Sequence, residues 1–346
     1  MPWIISHRSA LEYWRSASAG VALPGNKLRI TKLPKKTMDA GGLLCGDTLG
    51  LSMPLHILVG SGNARKTARR LDCHVSTGQF PSGSFIKVTP KMAVCSPELC
   101  FLQMASELAL PELVVLGYEF CGGYRLDKTG EPQRGFRDDG PLTSVARLGA
   151  YLARTSGMKG HKNASRAMRY LVEGSNSPME TVLCMLLTLP YRLGGYGFTQ
   201  PLLNGDLGVA NGRAKTTGAV RNSARSREAA GTIAVMRRAT KQVRASKFYG
   251  DLYWPDKRVD VEYDSDAYHS ASDKHYKDST RRNTIVAAGL TVLTVSRWQI
   301  IHTEELRKVA GALSARLGKR LKCSYPEFSY RHRILRSRLL PKISAE

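Results

Sequence analysis

"GDLYWPDKRVDVEYDSDAYH", Gly250 to His269, is the stretch whose reading decides how the second half of this chain is built. Two runs rich in aromatic and β-branched residues, FYGDLYW and RVDVEYD, flank Pro255–Arg258. Such runs favour strands, and a four-residue connection between them reads as a hairpin loop. The loop length sets a register: Trp254 opposite Val259, Tyr253 opposite Asp260, Leu252 opposite Val261, Asp251 opposite Glu262. Strand alternation then puts Val259, Val261 and Tyr263 on one face and Asp260, Glu262 and Asp264 on the other. Asp251, Glu262 and Asp264 are expected to converge at the open end of the hairpin.

The local charge makes this arrangement unusual. The chain has 346 residues and a formal net charge of +24. Yet Asp251 to Asp278 carries eight acids (Asp251, Asp256, Asp260, Glu262, Asp264, Asp266, Asp273, Asp278) against four bases (Lys257, Arg258, Lys274, Lys277). Neighbouring carboxylates on one sheet face repel by up to about 1 kcal/mol per pair. A divalent cation among them removes that penalty. Hard oxygen donors suit Mg²⁺, with Mn²⁺ as a substitute, and such a cation polarises phosphoryl oxygens and activates water. Asp251, Glu262 and Asp264 are therefore the expected metal ligands. An ordinary solvated strand face is the plain alternative.

His269 follows Asp264 by five residues. It is suited to general acid or base work beside a phosphate, or else to a surface or capping position, as is His275. Asp278 and Arg281 share a helix face and can pair; Arg281 is equally suited to meet a phosphate.

The remaining composition sets the partners. At 42% hydrophobic and 23% charged, the chain is globular rather than disordered. No apolar run reaches the length of a membrane span, and the N-terminus lacks a signal-peptide core. A cytoplasmic protein is expected. Seven cysteines without a CxxC pair argue against a zinc ribbon and for reduced, buried thiols. The strong positive balance points to a polyanion, most simply nucleic acid, with no membrane. Gly205–Gly250 holds ten Lys/Arg against two acids. Arg221, Arg237, Arg238, Lys241 and Arg244 from this segment, with Lys274 and Arg281, are the expected phosphate contacts. Arg227–Lys247 has helical character. Arg331, Arg333, Arg336 and Arg338 add a basic tail.

Elsewhere the patterns are ordinary. SHRSALEYWR reads as a helix, LHILVG and SFIKVTP as strands, and residues 95–126 as a helical stretch capped by Ser96 with Pro97 and Glu98 after it. A polar loop follows, then helix from about 141 to Gly174. SPMETVLCMLLTLP forms a helix in which Glu180 completes a capping box with Ser177.

The segment DLYWPDKRVDVEYDSDAYH, with Asp278-x-x-Arg281 and GLTVLTVSR after it, resembles the PD-(D/E)XK restriction-endonuclease-like superfamily. It is most similar to the branch related to very-short-patch repair endonucleases, with its E-x-D-(G/S)-x-x-x-H motif followed by D-x-x-R. The resemblance spans Ser177 to Ile301. It implies Asp251 and Glu262 as metal ligands and Glu180 as an accessory helix acid. It also implies an αβββαβ core: helix 178–188, a strand near Thr199–Leu203, the hairpin, a helix near 273–288 and strand 291–297. The motif's usual lysine is replaced by Asp264, which leaves activation of the attacking water unassigned. SHRSALEYWR and VCSPELCFLQMA more distantly resemble AbiEi-type antitoxin and regulator proteins.

The expected fold class is α/β (α+β). An accessory α+β domain covers 1–170, and a nuclease-like domain with a mixed sheet covers 171–320 with a basic insertion at 205–250. A basic tail covers 321–346. The expected function is Mg²⁺-dependent hydrolysis of double-stranded DNA, catalysed by Asp251, Glu262, Asp264, His269 and Glu180, in defence or DNA repair. The alternatives are a catalytically silent, nuclease-fold DNA-binding regulator or antitoxin-like protein, and an RNA nuclease.

Overall fold

A computed structural model describes residues 2–17, 27–33, 49–65, 69–127, 135–211, 246–264, 272–323 and 326–340, with the backbone alone for 210, 211, 246, 272–279 and 326. The fold is mixed α+β, as expected, and its larger sheets are mixed. No helix among the described residues is long and apolar enough to cross a membrane.

The N-terminal half is built on β1 (Trp3–Ile5), α1 (His7–Ser16), β2 (Lys27–Leu28), β3 (Leu55–Val59), β4 (Leu71–Val75), β5 (Phe85–Lys87) and β6 (Met92–Cys95). Its six strands lie in the order β2-β5-β6-β1-β3-β4, with β1/β6 and β3/β4 parallel. The expected helix at SHRSALEYWR is α1. Its Ala10 and Trp14 are buried, and Trp14 Nε1 donates to the Cys95 carbonyl at 2.9 Å.

The expected helical stretch 95–126 is two helices and a strand: α2 (Pro97–Met104), α3 (Leu110–Cys121) and β7 (Tyr124–Leu126). Pro111 explains the break, because it has no N–H to continue an α-helical ladder through 105–110. Ser96 caps α2 as expected, accepting from the Leu99 N–H. The polar loop that follows contains β8 (Phe136–Asp138), paired with β7. The expected helix from 141 to 174 is α4 (Val145–Ala153) and α5 (His161–Met168), interrupted by Gly157 and Gly160 in the left-handed region.

Residues 171–177 connect to α6 (Pro178–Thr188), β9 (Leu202–Asn211), β10 (Ser246–Trp254), β11 (Val259–Asp264), α7 (Ser272–Ala287) and β12 (Thr291–Ser296). The sheet order is β12-β11-β10-β9. The hairpin pairs Leu252↔Val261, Tyr253↔Asp260 and Trp254↔Val259, the register set by the loop length. Arg258 closes the turn at φ 52°. The first strand is longer than expected: β9 runs to Asn211 because β10 pairs with it out to Ser246. Ser246 and Lys247 are therefore strand, and the rest of the expected basic helix lies outside the described residues.

Strand β12 returns parallel to β11 after α7. One sheet face, with Leu252, Val259, Val261 and Val295, joins the main core together with Val182, Leu183 and Leu186 of α6. The other face packs Leu207 and Tyr253 against Ile285 of α7 and against Leu290. Both faces are thus covered.

The chain continues through α8 (Arg297–Ile301), α9 (Thr303–Leu317) and α10 (Pro326–Leu339). The expected basic tail is largely this last helix, docked through buried Phe328, Leu335 and Leu339. His332 Nδ1 donates to the Gly194 carbonyl at 2.7 Å. Gly194 sits at φ 91°, and a Cβ there would lie 2.4 Å from the Arg331 carbonyl, so only glycine fits this crossing. The arginines of this helix are engaged within the chain. Arg331 pairs with Glu327, Arg338 with Glu112, Arg333 lies over the Tyr330 ring, and buried Arg336 donates to the Ile301 carbonyl. The six described cysteines are free, and five of them are buried.

Candidate functional site: a buried carboxylate cluster on the hairpin

The hairpin carries Asp251 on β10 and Asp260 and Glu262 on β11. Helix α6 brings Glu180 to the open end, and α7 brings Arg281 across the sheet. Asp260 shares its face with Tyr253, the face that α7 covers. That is why Asp260 is fully buried, rather than lying on the solvated strand face that was the plain alternative. Neither of its carboxylate oxygens meets an N–H or hydroxyl donor, and its polar neighbour is the Glu262 carboxyl, with which a proton can be shared. Burial, then the neighbouring Glu262 and Asp251 carboxylates, push the Asp260 carboxyl up to about 8, against the pull of Arg281.

Gly250 makes room for this side chain. A Cβ at Gly250 would fall 2.3–2.5 Å from the Asp260 carboxylate atoms.

Asp251 is shifted in the same direction. Burial and then Glu180 raise it to about 7, with Glu262 adding to the rise. Its Oδ2 accepts the Tyr263 N–H at 2.8 Å, a bond that favours the ionised form. The side chain thereby takes over a backbone donor where the β10–β11 ladder ends.

Glu262 faces Arg281, with Oε1 2.7 Å from Nη1. Arg281 also donates from Nη2 to the Tyr249 carbonyl at 2.5 Å. Arg281 therefore stands at the acid cluster, paired with Glu262 across the sheet.

Glu180 has a second employment. The Ser177 hydroxyl accepts its N–H at 3.1 Å, and its Oε2 accepts from Asn176 N at 2.9 Å and Asn204 Nδ2 at 3.0 Å. It caps α6 much as the sequence suggests, although its carboxylate reaches one residue beyond the cap. Burial raises its pKa, and these hydrogen bonds oppose the rise.

Neither the expected trio of Asp251, Glu262 and Asp264 nor the set Asp251, Asp260 and Glu262 brings three ligand atoms within 4.8 Å of one another in this structure. Asp264 is half-buried at the end of β11, opposite Ser296 of β12. Among the described residues, the group whose three ligand atoms lie within 4.8 Å of one another is His56, Asp72 and His74, far away in sequence. The residue that sequence reasoning passed over is Asp260. Alternation places it beside Glu262, but nothing in the pattern announced that α7 would bury it.

His269, Arg221, Arg237, Arg238, Lys241 and Arg244 lie outside the described residues. Lys274 lies in the first half of α7, where only the backbone is described.

The cluster is suited to a hard divalent cation. Its donors are carboxylate oxygens, both Asp260 oxygens are buried, and burial first, then the neighbouring carboxylates, raises two of the acids. Glu262 and Asp251 are engaged by Arg281 and the Tyr263 N–H, so closure around an ion requires them to exchange those partners.

No protein-family model, curated protein or solved structure matches this chain. The reading of the site therefore rests on its chemistry.

Proposed function

We propose that this chain is a metal-dependent endonuclease acting on DNA phosphodiesters, in defence or DNA repair, with the carboxylate cluster as its active site. The observation that carries the reading is Asp260. A fully buried carboxyl beside Asp251 and Glu262 either keeps its proton or, to ionise, needs a cation beside it, and the proposed reading is the second. Two further features support it. The order of elements from α6 to β12 is αβββαβ around a mixed sheet, and the hairpin resembles the PD-(D/E)XK motif.

Asp251, Asp260 and Glu262 would hold Mg²⁺ or Mn²⁺, with Asp264 next along the strand. A cation there supplies Lewis acidity toward the phosphoryl group and a bound water of lowered pKa. The chain's own residues do the rest. Glu180 and its hydrogen bonds fix the open end of the hairpin beside Asp251. Arg281, once released from Glu262, is the guanidinium that meets a phosphate oxygen. His269 is the side chain proposed to assist proton transfer. The net charge of +24 draws the polyanion in.

Cleavage of supercoiled and linear DNA tests this. Mg²⁺- or Mn²⁺-dependent nicking that Glu262→Ala lowers by at least about 10³-fold is expected. Cleavage that survives both EDTA and Glu262→Ala contradicts it.

A second reading is supported by the Arg281–Glu262 ion pair and by Asp264 in place of lysine. In that reading the fold is a catalytically silent DNA-binding regulator or antitoxin-like protein, with arginine standing where a cation would. DNA binding without cleavage across several divalent metals selects it.

A further inference from the structure

We infer that the N-terminal sheet carries a second, separate metal site for a borderline transition-metal ion of the Zn²⁺ class, formed by His56, Asp72 and His74. The site follows from strand pairing. β3 and β4 run parallel, with His56 opposite Asp72 and Leu58 opposite His74. Alternation turns Leu55, Ile57, Leu71 and Cys73 into the core. It leaves His56, Asp72 and His74 together on the opposite face, with buried Leu58 beside them and both histidines part-buried.

Three ligand atoms meet there. His56 Nδ1 lies 2.9 Å from His74 Nε2, and Asp72 Oδ2 lies 3.6 Å from the first and 3.9 Å from the second. Ligands bound to zinc at 2.0–2.1 Å in a tetrahedron are separated by about 3.3 Å. The three observed distances bracket that edge.

The surroundings hold the rings in place. His7 stacks on His74 with centroids 3.6 Å apart and planes 17° apart, and His56 and His74 are also nearly parallel. His7 itself is fixed by an unusual backbone, φ 49°, with its N–H donating to Gln103 Oε1 at 3.0 Å. Its Nδ1 lies 3.0 Å from the Ser6 hydroxyl. His7 is a positioning residue. The Ser9 hydroxyl accepts the His56 N–H at 3.0 Å and fixes the strand.

The donor types select the ion. Two imidazoles and one carboxylate suit Zn²⁺ or Co²⁺ better than Mg²⁺, which prefers oxygen throughout. Three protein ligands leave a fourth position for water or a small anion, the pattern of an open rather than a purely structural site. A cleft lined by His7, His74, Arg65, Gln103 and Lys159 adjoins the cluster, and its two cations favour an anion there.

Titration of the EDTA-stripped full chain with Co²⁺ tests this. One tetrahedral ion per chain is expected, recognised by the intense visible d–d absorption that octahedral cobalt on carboxylates lacks, and displaced by Zn²⁺. His56→Ala and His74→Gln each weaken the binding of this tetrahedral ion at least tenfold, read from its d–d absorption. X-ray absorption on the Zn²⁺-loaded wild-type chain, which needs no variant, is expected to show two imidazoles and oxygen ligands. Failure to bind Co²⁺ at micromolar concentration, binding indifferent to both histidine variants, or a zinc shell without imidazole overturns the site. None of these outcomes bears on the carboxylate cluster.

Discussion

Asp260 shows what a single residue's surroundings do. Its ordinary pKa of 3.8 becomes about 8 in the fold, and Asp251 moves from 3.8 to about 7. The sign follows from proton linkage. The folded state holds protons that the unfolded chain releases above pH 3.8, so these groups favour folding at low pH. That contribution is lost progressively above pH 3.8 and is gone once pH has risen through about 7 to 8. Asp260→Asn keeps the shape of the protonated acid. It is expected to change stability little near pH 3 and to stabilise the chain by at least about 1 kcal/mol near pH 9. Denaturant unfolding at the two pH values checks this. Equal effects at both would mean that Asp260 does not carry the strain. Gly250→Ala forces a Cβ against the same carboxylate, and a loss of about 1–3 kcal/mol is expected in the same assay. The facing of Asp260 was legible from alternation. Its burial was not, because it depends on where α7 docks.

At the scale of elements, the hairpin was legible because Pro255–Arg258 fixes its register through local geometry. The helices were less so. Residues 95–126 are apolar enough to read as continuous helix, although Pro111, which lacks an N–H, was a break signal already in the sequence. Long-range ion pairs were invisible, because they depend on how distant elements pack. Arg15 of α1 grips Glu119 of α3 through two nitrogens, at 2.9 and 2.7 Å, with Glu119 fully buried. Its Oε1 also accepts the Leu126 N–H, tying in β7. Glu119→Ala leaves Arg15 with an uncompensated, largely buried charge. A loss of about 3–5 kcal/mol is expected, read as a lowered denaturant midpoint. A change within about 0.5 kcal/mol would show that the junction is not held by this pair.

At the scale of the whole molecule, one apolar cluster runs from Trp3 in the first strand to Leu339 in the last helix, so the two sheets share a core. Composition could announce a core of this kind but not its continuity. Charge was read more directly: +24 overall, with acids gathered on the hairpin. Phosphate contacts from Arg221, Arg237, Arg238, Lys241, Arg244 and Lys274 would make DNA affinity fall by about 10³-fold between about 50 and 200 mM salt. A filter-binding or anisotropy series measures the slope, and a flat dependence would remove DNA as the partner. The central claim is that the hairpin carboxylates bind a divalent cation. Its most direct test is anomalous diffraction from crystals soaked in Mn²⁺. The account predicts a manganese peak within bonding distance of Asp251 and Glu262, with Glu262 turned away from Arg281. Saturating Mn²⁺ with no peak there, and Glu262 still paired to Arg281, would contradict it.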